Sequence, residues 1–223
     1  GKSPFQQVIL VPPKSWKICL DVKDGYHGVP LHEDDQKYSC FNTIWGRYFY
    51  KVLPQGFVSA QDGYNHRYDD IIQDVEDKER CVDDSILWDE FEDGKEDEKI
   101  EKHFWRVCRY LSLCGKAGII FSEKKFQFCQ KEVEFVGFKL DEKGVKQTSE
   151  FLAAIRDFPV PTDITGIRSW FGLVEQCSYA FSKTENMEPF RHLLKPDMTF
   201  EWTEELQKAF EKSKAEIQKK VQH

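Results

Sequence analysis

A chain of 223 residues, 40% hydrophobic and 14% aromatic, can bury one large core or two smaller ones, which excludes a disordered chain. Its formal net charge of −7 argues at first against a nucleic-acid partner, because phosphate binding leaves a basic footprint. No apolar run is long enough to span a bilayer and no signal peptide is visible, so no membrane partner and an intracellular, cytoplasmic location are expected.

In chain order, residues 1–15 read as a loop or edge segment, since Pro12-Pro13 blocks regular structure. An apolar strand over 18–22 follows, ending in the acid Asp21, and 24–28 is a turn or a single helical turn. Residues 37–43 and 47–52 alternate as strands on either side of Trp45-Gly46, a hairpin. From the expected N-cap Ser59, the apolar positions Ala60, Tyr64, Tyr68, Ile71, Ile72 and Val75 recur at helical spacing. Two β-prone runs, 81–82 and 85–88, then flank Asp83-Asp84, which reads as a β-hairpin with both acids at its tip.

The run 89–98 is strongly acidic, so much of the negative charge sits in one solvated loop. A second helix over 99–114 is expected to bury Ile100, Phe104, Val107, Cys108 and Leu111, with Gly115 and Gly118 marking its end. Residues 125–128 and 132–140 return to strand pattern, with a turn over 141–144. Beyond Thr148 the pattern is helical, with Leu152 and Ile155, then Ile167, Trp170, Phe171, Val174 and Cys177, then Leu206, Ala209 and Phe210 as buried faces. Strands, helix, strands, helix, strands describe an α+β domain of the split βαβ, ferredoxin-like kind with helices on one face. The seven cysteines, an odd number without a CxxC pair, read as small buried hydrophobes in a reducing compartment.

The chemistry concentrates at Asp83 and Asp84. An Asp-Asp turn is by itself most often a solvated loop, but two carboxylates held at a rigid tip repel unless a divalent cation joins them. Oxygen-only ligands suit Mg²⁺ or Mn²⁺. Two-metal phosphoryl transfer, with ions roughly 3.5 to 4 Å apart, needs a further carboxylate from another element, and Asp21 at the end of its strand is the candidate. The histidines show no zinc-ligand spacing.

Four ordered segments carry a resemblance: Leu20-Asp21-Val22-Lys23-Asp24-Gly25-Tyr26, Leu53-Pro54-Gln55-Gly56-Phe57, Val82-Asp83-Asp84 and Val133-Glu134-Phe135-Val136-Gly137-Phe138. Together they resemble the palm of a reverse transcriptase, most of all those of gypsy-type LTR retrotransposons, with the retroviral enzymes as close relatives. The likeness extends through Asp157-Phe158-Pro159-Val160-Pro161, the run 167–174 and the run 190–195 into an all-helical thumb. It implies a right-hand polymerase, with palm and incomplete fingers over 1–148, and thumb and the start of the connection over 149–223.

The implied activity is RNA-directed DNA polymerisation, transferring a nucleotide from a dNTP to a primer 3′ hydroxyl on an RNA or DNA template with two Mg²⁺ ions. By the resemblance Asp21, Asp83 and Asp84 are catalytic, and they are metal ligands together with Val22. Val22, Lys23, Asp24, Tyr26, Gln55 and Gly56 bind the nucleotide, partly through backbone N–H groups of the turn. Tyr26 excludes a 2′ hydroxyl, and Phe135, Val136, Gly137 and Phe138 form the primer grip. The chain begins at Gly1, so it is expected to be cut from a polyprotein, with most of the fingers before Gly1. Virus-like particles and a dimer of polyprotein-derived subunits fit the same reading.

Two departures bear on this. Cys81 stands two residues before Asp83, where the family usually has an aromatic, and the acidic stretch 89–98 looks like an insertion. The alternative reading is a catalytically inactive truncated or domesticated fragment that binds nucleic acid or protein.

Overall fold

The computed structural model describes residues 2–179, 183–195 and 199–221. Its elements are α1 (Pro4–Val8), β1 (Ser15–Asp21), α2 (Glu33–Gln36), β2 (Phe41–Thr43), β3 (Gly46–Tyr48), α3 (Ala60–Ile72), β4 (Lys78–Cys81), β5 (Asp84–Glu90) and α4 (Ile100–Lys116). They continue with β6 (Val133–Phe135), β7 (Phe138–Asp141), β8 (Gly144–Gln147), α5 (Ser149–Arg156), α6 (Ile164–Glu175), α7 (Lys183–Met187) and α8 (Glu204–Val221), with short 3-10 turns between. Among the described residues no helix is long and apolar enough to cross a membrane.

The chain forms two compact units. The larger comprises residues 7–136 and 140–144, and the other comprises the segment up to residue 6 with 137–139 and 145 onward. At the centre of the larger unit, β1, β5 and β4 make an antiparallel sheet in the order 1-5-4. Strand alternation puts Ile18, Leu20, Ser85 and Leu87 on one face. There they meet Tyr64, Tyr68 and Ile72 of α3 and Val107, Tyr110 and Cys114 of α4 in one buried cluster. The other face carries Asp21 and Asp84, so packing the helices on one side leaves the acids on the other. The second unit encloses its own core, where Trp170 is fully buried against Phe158 and Phe210, with ring centroids 5.1 and 4.9 Å away.

Several local readings are corrected. The N-terminal segment contains a helical turn, because Ser3, Pro4 and Gln6 form a capping box: Gln6 N–H donates to Ser3 Oγ at 3.3 Å and Ser3 N–H to Gln6 Oε1 at 2.8 Å. Residues 37–39 form a 3-10 turn, so the hairpin around Trp45 is shorter than expected. Ser59 precedes α3 without a side-chain capping bond. Residues 126–128 form no strand, and β8 occupies part of the stretch read as a turn. Of the seven cysteines only Cys114 and Cys177 are fully buried, and none is in a disulfide.

The buried face of α4 is rotated from the expected one. His103, Val107, Tyr110 and Cys114 point inward, while Phe104 is 45% exposed. Polar partners on β5 decide this phase. Tyr110 donates to Ser85 Oγ at 2.7 Å, and His103 Nδ1 lies 3.1 Å from Asp89 Oδ2. Arg106 adds a bidentate pair to Asp89 at 2.9 and 3.0 Å. An aromatic outside and a histidine inside is favourable because an unpaired buried Asp89 would cost more than Phe104 would gain.

Asp89 therefore anchors β5 to α4, and its truncation tests the strand that carries the site. Burial alone would raise its carboxyl pKa, but the hydrogen bonds from His103 and Arg106 more than reverse that and hold it below the ordinary 3.8. A depressed carboxyl stabilises the fold above its unfolded value, and the contribution is lost as pH falls through the folded one. Asp89→Ala should cost about 3–5 kcal/mol in urea unfolding at neutral pH, and the gap to wild type should shrink on acidification below pH 3.8.

Candidate active site

The β1–β5 register sets Asp21 directly opposite Asp84. Opposed like charges destabilise a ladder, with Cβ atoms roughly 4.5–5.5 Å apart. Burial in the first place and Asp21 in the second push the Asp84 carboxyl above its ordinary value. Lys125, from the segment after α4, donates to Asp21 Oδ1 at 2.9 Å and offsets part of the repulsion. Both acids line an open cleft of about 550 Å³, with Lys124, Lys125, Glu132 and Glu134 on its rim.

Asp83 is held separately. Cys81 pairs with Asp84, so the two-residue hairpin loop is Val82-Asp83, and Asp84 is the first strand residue and not part of the tip. Val82 takes a φ of +56°, a conformation that costs a β-branched residue on the order of 1–2 kcal/mol. The Asp83 carbonyl accepts from Val22 N–H at 2.9 Å, which ties the tip to the end of β1. Its carboxylate Oδ1 and the Tyr64 hydroxyl are both buried and face each other across the tip, with no other hydrogen-bond partner. Burial, reinforced by the nearby Asp83 carboxylate, raises the Tyr64 phenol well above its usual range.

Gly25 makes this approach feasible. A Cβ there would lie 2.5 Å from Tyr64 Oη and 2.7 Å from Asp83 Oδ1, so any side chain would displace one or both. Asp24, just before it, has φ +54° and opens the 3-10 turn Gly25–Gly28. Tyr26 in that turn is half-buried and stacks on Tyr64, ring centroids 4.9 Å apart and planes 26° off parallel. A single tyrosine of α3 thus touches both the Asp83 tip and Tyr26.

The other expected residues are less closely gathered. The backbone N–H of Val22 is used by Asp83 and that of Lys23 by Ile120 at 2.8 Å, so neither is open to a phosphate. That narrows the expected backbone cradle, because Val22 forms an isolated bridge to Phe121 and Lys23 is hydrogen-bonded to Ile120 just after β1 ends. The Lys23 side chain is exposed. Gln55 and Gly56 are exposed on the loop before α3, Gly56 with φ +87°. Among the hydrogen bonds of the described residues, none joins them to the acids. Phe135 and Phe138 are buried, and Val136 and Gly137 between them have φ +47° and +85°, positive at both positions as in a type I′ hairpin loop.

The donor set fits a hard divalent cation: three carboxylates, one with a buried oxygen beside the Tyr64 hydroxyl and one whose ionisation is opposed by its neighbour. Among the described residues no three His, Cys, Asp or Glu side chains are gathered in ligating geometry. Asp83 faces Tyr64 and Asp21 is engaged by Lys125. Sequence reading missed Lys125 and Tyr64, and no local pattern marks either, since each reaches the site from a distant element.

Comparison with known proteins identifies the family and the fold. Residues 6–140 match the family described as reverse transcriptase (RNA-dependent DNA polymerase). The chain is 30% identical over 157 residues, 69% of its length, to the retrovirus-related Pol polyprotein from transposon gypsy of Drosophila melanogaster, and covers 14% of that protein. It is 28% identical over 213 residues, 94% of its length, to the enzymatic polyprotein of Cauliflower mosaic virus, of which it covers 30%. It therefore spans less than a third of either relative. The fold is that of the foamy viral protease-reverse transcriptase in complex with RNA/DNA hybrid, with TM-score 0.77 and 22% identity over 91% of this chain and 27% of that one. The same enzyme in complex with dsDNA matches at TM-score 0.74 and 22% identity, over 91% of this chain and 41% of that one.

Two substitutions test the arrangement without an activity assay. Asp84→Asn removes the cross-strand repulsion and should raise stability in EDTA by roughly 0.2–1 kcal/mol, read as a higher melting temperature. Gly25→Ala should lower stability by about 1–3 kcal/mol, because the added methyl overpacks against Tyr64 and Asp83. A melting temperature unchanged from wild type would show that the tip lies elsewhere.

Proposed function

The chain belongs to the reverse transcriptase (RNA-dependent DNA polymerase) family, and on that premise we propose that it is the nucleotidyl-transfer core of an RNA-directed DNA polymerase. The observation that carries the reading is the opposed Asp21–Asp84 pair with Asp83 at the adjoining hairpin tip. A sheet tolerates two facing carboxylates poorly, and a function that needs concentrated negative charge accounts for their presence. The family generally works with divalent metal ions, and Mg²⁺, with Mn²⁺ as substitute, is the cofactor proposed here.

In this reading Asp21, Asp83 and the Val22 main chain hold the ions, and Asp84 supports the primer-side position. When bound, two such ions lower the pKa of the primer 3′ hydroxyl and stabilise the pyrophosphate oxygens as they leave. The protein's own work is placement. Pairing of β1 with β5 fixes Asp21 against Asp84, and the Val22 to Asp83 hydrogen bond fixes the tip against β1. Lys125 is close enough to Asp21 to occupy the site electrostatically until cations displace it, so it acts as a built-in counter-ion.

The exposed Lys23 side chain and the Asp24 turn, which follow Asp21 along the chain, are proposed to contact the triphosphate. Tyr26, braced by Tyr64, is proposed to exclude a ribose 2′ hydroxyl, with Gln55 and Gly56 on the sugar and template side. The hairpin carrying Phe135 to Phe138 would position the primer end, and template, primer and dNTPs are the implied partners.

Primer extension on an RNA template with Mg²⁺ and dNTPs tests this, run with the chain as given and with one extended upstream. Extension by either form supports the reading, and a folded protein inert in both forms would instead favour a binding-only fragment. Asp83→Asn should reduce extension by at least about 100-fold while leaving the circular-dichroism spectrum intact. Tyr26→Ala should raise incorporation of ribonucleotides relative to deoxynucleotides, and an unchanged ratio would return Tyr26 to a packing role.

A further inference from the structure

We propose that Arg80 is a positioning residue that holds the Val82-Asp83 tip in place beside the end of β1. The inference rests on the polymerase reading for its purpose but on the following contacts for its substance.

Arg80 lies in β4, separated from the hairpin loop only by Cys81, with its side chain only 7% exposed. A guanidinium has five N–H donors, and here every one has an acceptor. Nη1 donates to Val82 O at 2.6 Å and to Asn65 Oδ1 at 3.0 Å. Nη2 donates to Asn65 O at 3.2 Å and to Asp69 Oδ1 at 2.7 Å, and Nε donates to Asp69 Oδ1 at 3.1 Å. The cation also lies over the Tyr68 ring, 4.7 Å from its centroid, and 5.9 Å from that of Tyr64. The main-chain carbonyl of Arg80 accepts from Gln7 Nε2 at 2.5 Å, so its own backbone is anchored from the far side.

This saturation decides the role. An arginine meant for a phosphate would keep donors directed at solvent, whereas this one spends all five inside the protein. One of the five goes to the carbonyl of Val82, the residue forced to positive φ, and the others go to Asn65 and Asp69 of α3, the helix that carries Tyr64, which faces Asp83. Arg80 thus couples the strained tip to the helix that packs beside it.

Loss of such an outer contact weakens metal binding by roughly 10- to 100-fold. The test measures Mn²⁺ affinity and amide hydrogen exchange on wild type, Arg80→Gln and Arg106→Gln. Arg106 is a second buried guanidinium, paired to Asp89 near the opposite end of β5, so its loss reports stability without touching the tip. The expected result is faster exchange at residues 82–84 and at least tenfold weaker Mn²⁺ binding in Arg80→Gln alone. Arg80→Lys keeps the charge over the tyrosines but cannot span Val82, Asn65 and Asp69 together. It should show the same defect, and it serves in place of Arg80→Gln if that variant fails to fold.

Unchanged exchange at 82–84, or an equal loss of Mn²⁺ affinity in Arg80→Gln and Arg106→Gln, would overturn the proposal. If wild type takes up no Mn²⁺ at all, the polymerase reading is what fails. Exchange at the tip then still decides whether Arg80 holds it.

Discussion

Two carboxylates facing one another across an antiparallel ladder are the constraint on which this molecule is built. The register that opposes Asp21 and Asp84 is the same register that buries Ile18, Leu20 and Leu87 under α3 and α4. A slip of one residue would relieve the repulsion, but it would also turn the apolar set to solvent. The hydrophobic core therefore stabilises an arrangement that electrostatics opposes. Lys125 reduces the penalty from one side, and divalent ions, in the proposed function, would remove it.

The tip needs a different kind of support, because a two-residue loop with a β-branched residue at positive φ does not hold itself. Three devices converge on it: the Val22 to Asp83 main-chain bond, the space left by Gly25 and the guanidinium of Arg80. Tyr64 is common to two of them, since it bounds the space at Gly25 and lies beside the Arg80 guanidinium, and it also stacks on Tyr26. A disturbance of α3 would then reach both the acidic tip and the proposed sugar gate. The opposite end of β5 is secured by Asp89 with His103 and Arg106, so the strand bearing Asp84 is fixed at both ends by buried polar groups.

The readings that failed share a cause. The face of α4 was assigned from apolar spacing, which favours Phe104 over His103, and the fold reverses this because Asp89 lies opposite. The backbone cradle after β1 is implied by the resemblance alone, but Asp83 and Ile120 accept from two of its N–H groups. Each error came from judging a segment without the partner that completes its hydrogen bonds.

The sequence by itself determined the family, the alternation of strands and helices around the central sheet, and the hairpin that carries Asp83. These follow from local chemistry: alternation, helical periodicity, turn residues and motifs whose spacing is written along the chain. Only the tertiary structure decided which acids face each other, that the tip is Val82-Asp83, that Gly25 must lack a side chain, and that Lys125, Tyr64 and Arg80 attend the site. The physical reason is separation along the chain. Lys125 meets Asp21 across more than a hundred residues, and nothing in either neighbourhood encodes a contact that exists only once the sheet has paired and the helices have packed.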